Sequence, residues 1–312
     1  MKKKKYQKRV FASAFVVISI FLFGFFVFQS SIIPRRPFIA PDASYHSWDE
    51  ILSHPKPITI QTYSTGIMQT PLSGIVNLKH EKARDIEDKN VAVPVIVGVV
   101  HHQKYGSYLI DAGLDASYVH NPYGTIKGLM VKPFLGKGKQ EPNTDIASIL
   151  KNENIQINGV FLTHLHIDHT AGIVDLPKNI FYAVGKDEVY TNFRIFMRSD
   201  HLDGLEYLYE IDFSTGVDLP PFGKSIDLLG DGSLWATSSS GHSKGHVLYF
   251  INGVEEQILV TGDACNNQYQ FDTEIGPGTF SSDVDQAQEV LDSIIIFKKK
   301  YPEVKLVFGH DL

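Results

Sequence analysis

The feature that most constrains this chain is a cluster of metal-binding side chains in the segment 163–170, Thr-His-Leu-His-Ile-Asp-His-Thr. Three histidines and one aspartate fall close together, directly after the apolar run 160–162. His164 and His166 are two residues apart, so on extended backbone they point the same way and can chelate one ion. Asp168 and His169 belong to the following turn and are placed to hold a second ion. The pattern predicts a metal site at the end of a buried strand, with a surface histidine cluster as the alternative.

Composition narrows the class of protein. The 312 residues are 43% hydrophobic and 21% charged, which is typical of a globular protein with a substantial core. The formal net charge is −6 and no strongly basic domain stands out, which argues against nucleic acid as a partner. Cys265 is the single cysteine, so an intramolecular disulfide and a cysteine-built zinc site are excluded. The oligomeric state is left open.

The first 28 residues are typical of a membrane segment. Residues 1–9 form a basic tail, and residues 10–28 contain no charge and would span about 28 Å as a helix. Because more basic residues precede the apolar run than follow it, the tail is expected in the cytoplasm. We therefore predict a single-pass membrane anchor, with the rest of the chain outside the cytoplasm. The alternative is a cleaved signal that leaves a secreted or periplasmic protein.

Residues 29–56 are predicted to be a linker and lead-in to the folded domain. Pro34, Pro37 and Pro41 suggest a stiff segment that lifts the domain off the bilayer, followed by a short helix near Trp48. The folded domain is then expected to occupy residues 57–312.

Within that domain, hydrophobic patterning predicts an α/β architecture. Strands are expected at 58–63, 91–100, 107–110, 159–163, 180–184, 225–229, 234–237, 247–251, 257–261 and 304–308. Helices are expected at 144–152 after an N-cap at Thr144, at 186–197, and at 283–300 after an N-cap at Ser281 or Ser282. Asn252-Gly253 indicates a hairpin, and the irregular segment 114–143 could form a lid. The layout suggests two stacked αβ units.

Three further candidate ligands stand at the ends of predicted strands. His242 follows the strand and turn 235–241, Asp263 follows the strand 257–261, and His310 follows the last strand. A single histidine or aspartate after glycine is usually only a turn residue. Because all three residues follow predicted strands, and do so in this order, together they strengthen the prediction of two metal ions.

With these residues assembled, the chain resembles the metallo-β-lactamase-fold hydrolases, and among them the dinuclear-zinc N-acyl homoserine lactonases. The resemblance covers about 91–310, including Ile110-Asp111-Ala112-Gly113, the segment 241–246 and Phe308-Gly309-His310-Asp311. It implies a four-layer αβ/βα sandwich with two metals at the edge where the sheets meet.

The resemblance also implies a role for each site residue. The first metal is held by His164, His166 and His242, and the second by Asp168, His169 and His310. Asp263 bridges the two. Asp111 and His246 are expected to support these ligands from behind. The histidine and carboxylate donors suit zinc, and also manganese, iron or cobalt.

The chemistry implied is hydrolysis of a lactone or another carboxylic ester by a hydroxide formed on the two ions. Asp168 is expected to orient this nucleophile and to pass its proton to the leaving alkoxide, which makes it the catalytic side chain. The expected partners are a small-molecule ester or lactone and, through the N-terminal helix, the membrane.

One departure leaves the substrate open. The lactonases carry a tyrosine three residues after the bridging aspartate, and here that position is Asn266, with Tyr269 three residues further on. These two residues are expected near the substrate. The same site could instead cleave a β-lactam, a glutathione thioester or a phosphodiester, and a non-catalytic metal-binding surface protein is a further alternative. Cys265 is expected to be a small buried residue rather than a ligand.

Overall fold

Residues 35–211 contain the strands of an eight-stranded mixed sheet. The computed structural model describes Ser19, Gly24 and residues 33–190, 192 and 196–311. The strands are β1 (Arg35–Pro37), β2 (Ile58–Pro71), β3 (Asn90–His102), β4 (Gly106–Ile110), β5 (Gly138–Lys139), β6 (Ile157–Phe161), β7 (Phe181–Gly185) and β8 (Leu208–Ile211). The strand order is β1-β8-β7-β6-β4-β3-β2-β5, with β1, β8, β7, β6 and β4 parallel and the remaining pairs antiparallel.

Residues 217–308 contain the strands of a six-stranded sheet. The strands are β9 (Val217–Leu219), β10 (Gly223–Asp227), β11 (Leu234–Ser238), β12 (Val247–Asn252), β13 (Gln257–Gly262) and β14 (Lys305–Phe308). Their order is β14-β13-β12-β11-β10-β9, and neighbours are antiparallel except for β13 and β14, which are parallel. The pairing of β12 with β13 around Asn252 agrees with the predicted hairpin.

Helices cover the outer faces of the two sheets. The α-helices are α1 (Trp48–Ser53), α2 (Leu72–Ile75), α3 (Val131–Phe134), α4 (Ile146–Asn152), α5 (Ile167–Thr170), α6 (Gln268–Thr273) and α7 (Val284–Lys300). On the first sheet, α4 buries Ile146 and Leu150 against the cluster that contains Leu109 and Val160. On the second sheet, α7 buries Leu291 and its neighbours against β12 and β13.

A third apolar layer lies between the two sheets. Phe161 of the first sheet and Tyr249 of the second are in ring contact, with centroids 5.9 Å apart. Both belong to one buried cluster that draws residues from β4, β6, β11, β12 and β13. The order is therefore helix, sheet, sheet, helix, which agrees with the predicted αβ/βα sandwich.

Residues 33–56 are part of the folded domain, so the stiff linker predicted around Pro34, Pro37 and Pro41 is wrong, whereas the short helix predicted near Trp48 is present as α1. β1 adds to the edge of the eight-stranded sheet beside β8, a position that tolerates Pro37. Trp48 is 3% exposed and its Nε1 donates to the carbonyl oxygen of Leu219 at 3.2 Å. Burial of apolar side chains such as Trp48 holds this segment against the domain despite its prolines.

The predicted membrane segment 10–28 lies outside the described residues, apart from Ser19 and Gly24. In the described part of the chain, none of the helices combines the length and the apolar character needed to cross a bilayer.

Several predicted helix boundaries were wrong. The described residues of 186–197 form a turn and extended chain instead of a helix, and Asp187 has a φ of 66°. Asp283 rather than Ser281 or Ser282 caps α7, with its side chain accepting from the backbone N–H of Gln286. Asp145 rather than Thr144 caps α4 in the same way. At both of these N-caps, a carboxylate takes the place of the predicted hydroxyl, and carboxylates are strong N-cap acceptors.

Candidate metal centre

The segment 163–170 leaves β6 and turns sharply towards the second sheet. His164 is fully buried, and His166 stands at the N-cap position of α5. Asp168 and His169 lie in the single turn of this helix. Because this short helix changes the direction of the chain, His164 after the strand and His169 in the helix face the same site.

The other predicted ligands arrive from the second sheet. His242 lies in the turn after β11, Asp263 follows β13, and His310 follows β14. All three are at most 5% exposed. Because β13 and β14 are parallel neighbours, their C-terminal ends lie at the same edge, beside the end of β6.

The structure brings the seven side chains together in two groups. In each group the ligand atoms lie within 4.8 Å of one another, the first group being His164, His166, His242 and Asp263, the second Asp168, His169 and His310. In the first, His242 Nε2 lies 2.9 Å from His166 Nδ1. In the second, His310 Nε2 lies 3.5 Å from Asp168 Oδ2.

Asp263 stands between the two groups. Its Oδ2 lies 3.3 Å from His242 Nε2 and 3.8 Å from His164 Nε2. Its Oδ1 lies 3.2 Å from His169 Nε2 and 3.4 Å from His310 Nε2. Each carboxylate oxygen thus faces a different set of nitrogens, as a bridging ligand requires.

The donor set fits two divalent cations. His164 Nε2, His169 Nε2 and Asp263 Oδ1 are buried and make no well-aligned hydrogen bond, although the last two atoms lie 3.2 Å apart. Unsatisfied buried polar atoms are costly, and three of them converging on one volume are explained by cation binding. Imidazole nitrogens and carboxylate oxygens would hold zinc or another first-row divalent ion.

Burial keeps two histidines of the first group, His164 and His242, in the form that binds metal. It lowers the pKa of His164 and of His242 well below the ordinary histidine value. Both rings are therefore neutral at physiological pH and offer a lone pair.

The second group lies in a more negative environment. Burial lowers the pKa of His169, but the carboxylates of Asp263, Asp111 and Asp168 outweigh it and raise that pKa well above its ordinary value. Burial likewise lowers the pKa of His310, and Asp263 raises it to about 8. Three carboxylates therefore attract positive charge at this point, which a divalent cation would supply.

Asp111 and His246 lie beside the candidate ligands, at hydrogen-bond distance from them. Asp111 Oδ2 lies 2.8 Å from His169 Nδ1, and its Oδ1 accepts from the backbone N–H of Thr163 at 2.7 Å. His246 Nε2 accepts from the backbone N–H of Asp263 at 3.1 Å, while its Nδ1 lies 2.7 Å from Ser239 Oγ. Both residues orient a ligand through hydrogen bonds.

Asn266 and Tyr269 are placed differently from each other. The Asn266 side chain is fully buried and its amide donates to the carbonyl oxygen of Ile75 at 3.1 Å, so this donor is already occupied. That placement does not favour the predicted contact with a substrate. Tyr269 is 45% exposed on α6. Cys265 is a buried free thiol, and burial raises its pKa, which suits the predicted small core residue.

Sequence reasoning missed several polar residues that contact the metal-binding turns. Thr170 Oγ1 donates to the carbonyl oxygen of His166 at 3.0 Å and lies 3.0 Å from the buried His201 Nδ1. Glu188 contacts two of the ligand-bearing turns. Thr170 was adjacent to the motif and could have been included, whereas nothing in the sequence near His201 or Glu188 indicated a site.

Fold and site together define a metallohydrolase. The chain belongs to the metallo-beta-lactamase superfamily, whose sequence profile matches residues 92–310.

Curated relatives show the same affiliation. The chain is 26% identical to the N-acyl homoserine lactonase AttM of Rhizobium johnstonii over 226 residues, which is 70% of this chain and 82% of the relative. It is 24% identical to AttM of Agrobacterium fabrum over 224 residues, with the same coverage of both chains.

Solved structures share the fold. A mutant of B. thuringiensis AiiA with N-decanoyl-L-homoserine bound at the active site aligns with a TM-score of 0.64 at 20% identity, covering 83% of this chain and 95% of the other. The dizinc quorum-quenching lactonase AidC aligns with a TM-score of 0.54 at 13% identity, covering 83% and 89%. The protein is thus a hydrolase of this superfamily.

Proposed function

We propose that the protein is a dinuclear-metal lactonase that opens lactones, or cleaves related carboxylic esters. The observation that carries this proposal is the position of Asp263, whose two oxygens face separate groups of donors. Two ions in these groups, with zinc as our first choice, would lower the pKa of a shared water and polarise the substrate carbonyl.

The protein side chains divide the remaining work. Asp263, which is 4% exposed and lies between the two groups, would fix their separation. The Asp168 side chain is 21% exposed, compared with 6% for Asp263 and 3% for His310. Asp168 is therefore the carboxylate best placed to meet a substrate, and we assign it the transfer of a proton to the leaving alkoxide.

The choice of bond follows from the relatives. The two AttM proteins are N-acyl homoserine lactonases, and their alignments span 70% of this chain. A lactone or carboxylic ester needs no nucleophilic side chain here, since the ions would activate water. We extend lactone hydrolysis to this chain on that basis.

The test combines metal analysis with hydrolysis of a panel of lactones, aryl esters, β-lactams, glutathione thioesters and phosphodiesters. We expect two metal ions per chain and the highest kcat/KM on a lactone. His166→Ala is the control and should lose activity on every substrate. Two bound ions without turnover of any substrate would refute hydrolysis, and full activity of His166→Ala would refute the metal mechanism.

We also propose that residues 10–28 anchor the protein in the membrane, with the hydrolase domain outside the cytoplasm. The uncharged run and its basic flank support this proposal. In intact cells, added protease should digest the domain, and the protein should sediment with membranes. Removal of residues 1–28 should release it, and a cytoplasmic, protease-protected domain would contradict the orientation.

A further inference from the structure

Glu188 connects the two turns that carry the histidines of the first ligand group. It follows β7 and is 3% exposed. Its Oε1 accepts from the backbone N–H of Leu165, between His164 and His166, at 3.3 Å. Its Oε2 accepts from Ser243 Oγ and from the backbone N–H of Gly245, each at 2.7 Å. One buried carboxylate thus receives three donors from two separate turns.

The turn after β11 approaches Glu188 so closely that a side chain is not tolerated there. A Cβ added at Gly245 would lie 2.7 Å from Glu188 Cβ and 2.7 Å from the backbone nitrogen of Glu188. Glycine is therefore required for the turn that carries His242 to rest against Glu188. The contact fixes the distance between this turn and β7.

Arg35, in the edge strand β1, contacts the same residue. Arg35 Nη2 donates to the carbonyl oxygen of Glu188 at 2.7 Å, and Arg35 Nη1 contacts Glu210 Oε1 at 3.0 Å. Because Arg35 belongs to β1, the edge strand is hydrogen-bonded to the backbone of Glu188, while the Glu188 carboxylate contacts the two metal-binding turns. The first described segment of the domain is thereby linked to the metal-binding turns.

We propose that Glu188 is a positioning residue for the first metal ion, and that Arg35 of β1 holds the backbone of Glu188 in place. This inference rests on the dinuclear site proposed above. An amide in place of the carboxylate would direct an N–H group at one of the existing donors and push the two turns apart. Metal ligands tolerate displacements of only about 0.2 Å. Loss of a partner that orients ligands typically weakens metal binding by about 10- to 100-fold.

The test is zinc titration of the demetallated full-length protein against a chelating indicator. The wild type should bind two ions. Glu188→Gln should bind one of them about 10- to 100-fold more weakly and the other unchanged. Combined with His310→Ala, which impairs the second group, Glu188→Gln should still weaken binding. Combined with His242→Ala, which impairs the first group, it should add little, because the two changes act on one site.

Matched variants separate positioning from general destabilisation. Arg35→Ala should weaken the same ion to a smaller extent. Arg36→Ala removes a guanidinium that stacks over the Tyr207 ring at 3.4 Å and should leave both affinities unchanged. If Glu188→Gln does not fold, Ser243→Ala removes one of the three donors and decides the question by the same selective loss.

Three results would overturn parts of this scheme. Wild-type affinity for both ions in Glu188→Gln, or in Ser243→Ala where the first variant does not fold, would refute the positioning role. An equal loss at both ions would show that Glu188 only stabilises the fold. A wild type that binds no ion would refute the proposed dinuclear site itself, which is distinct from failure of the inference.

Discussion

Asp111 and His169 form a buried pair in which the carboxylate Oδ2 lies 2.8 Å from the ring Nδ1. The pair leaves His169 Nε2 directed at Asp263, 3.2 Å from its Oδ1. Asp111 achieves this from an unusual backbone conformation, with a φ of 63°, at the end of β4. A non-glycine residue in this region is uncommon and is retained when the surrounding structure determines it.

Asp111→Asn should weaken metal binding by about 10- to 100-fold, because the amide oxygen can face either Thr163 or His169 while the NH2 group is directed at the other donor. His169 would lose either its orientation or its preferred tautomer. Chelator competition with zinc measures the effect. Asp88→Asn, which alters a carboxylate bonded to Ser73 at the surface, is the control and should bind zinc as the wild type does. Unchanged affinity in Asp111→Asn would contradict this role.

Asp168→Asn should lower kcat on a lactone by about 10²- to 10⁴-fold, which is the usual range for loss of a general acid or base. Since Asp168 is also a candidate ligand, kcat has to be compared at equal metal content. An aryl ester with a nitrophenolate leaving group needs no protonation, so its kcat should fall much less. An equal loss on both substrates would indicate that Asp168 acts only as a ligand.

The seven candidate ligands could be selected from the sequence because each lies shortly after a predicted strand. Four lie in the segment after β6, and one each follows β11, β13 and β14. The apolar runs that define these strands are local and unambiguous in the sequence. Asp111 and His246 could be added only through the resemblance to a known family.

Glu188 could not be found in this way. Its carboxylate contacts Gly245, a partner 57 residues away, through a turn that the sequence pattern predicted as a helix. The prediction that Asn266 lies near the substrate met a related difficulty. Its side-chain amide donates to the carbonyl oxygen of Ile75, 191 residues away. Polar contacts between distant turns leave no periodic pattern in the sequence.

Packing contacts between distant segments are equally hard to predict from the sequence, as the lead-in 33–56 shows. Its prolines predicted a linker followed by a short helix near Trp48, yet Trp48 is in edge contact with Phe250 and Phe297, with ring centroids 5.1 and 4.9 Å away. Ile51 is buried in the same cluster, and these two side chains join the segment to the domain.

Trp48→Ala should therefore destabilise the domain by about 3–5 kcal/mol, as expected for deletion of a large buried aromatic side chain. Trp48→Phe should cost less because part of the ring contact remains. Urea denaturation followed by tyrosine and tryptophan fluorescence or circular dichroism measures the free energy of unfolding. His46→Ala, at an exposed position two residues earlier, is the control. A stability of Trp48→Ala equal to that of the control would mean that 33–56 is a dispensable linker.

Asp227 is a buried carboxylate away from the metal-binding turns, at the end of β10. It is 1% exposed and accepts from the backbone N–H groups of Gly230 and Gly232 at 2.9 and 2.7 Å. Burial raises its pKa to about 6, although these two hydrogen bonds act in the opposite direction. The turn that it holds also receives Ser44 from the lead-in, whose Oγ donates to the carbonyl oxygen of Gly230.

This raised pKa predicts a pH-dependent stability term with a defined sign. The folded protein binds a proton at Asp227 more tightly than the unfolded chain, whose aspartate pKa is about 3.9, so the term is fully present below that pH. It is lost as pH rises through about 6. The loss amounts to about 3 kcal/mol, at 1.36 kcal/mol per pKa unit. Asp227→Asn cannot titrate, so the wild type should lose stability relative to this variant between pH 4 and pH 7. A constant difference in unfolding free energy across that range would show that Asp227 is ionised throughout.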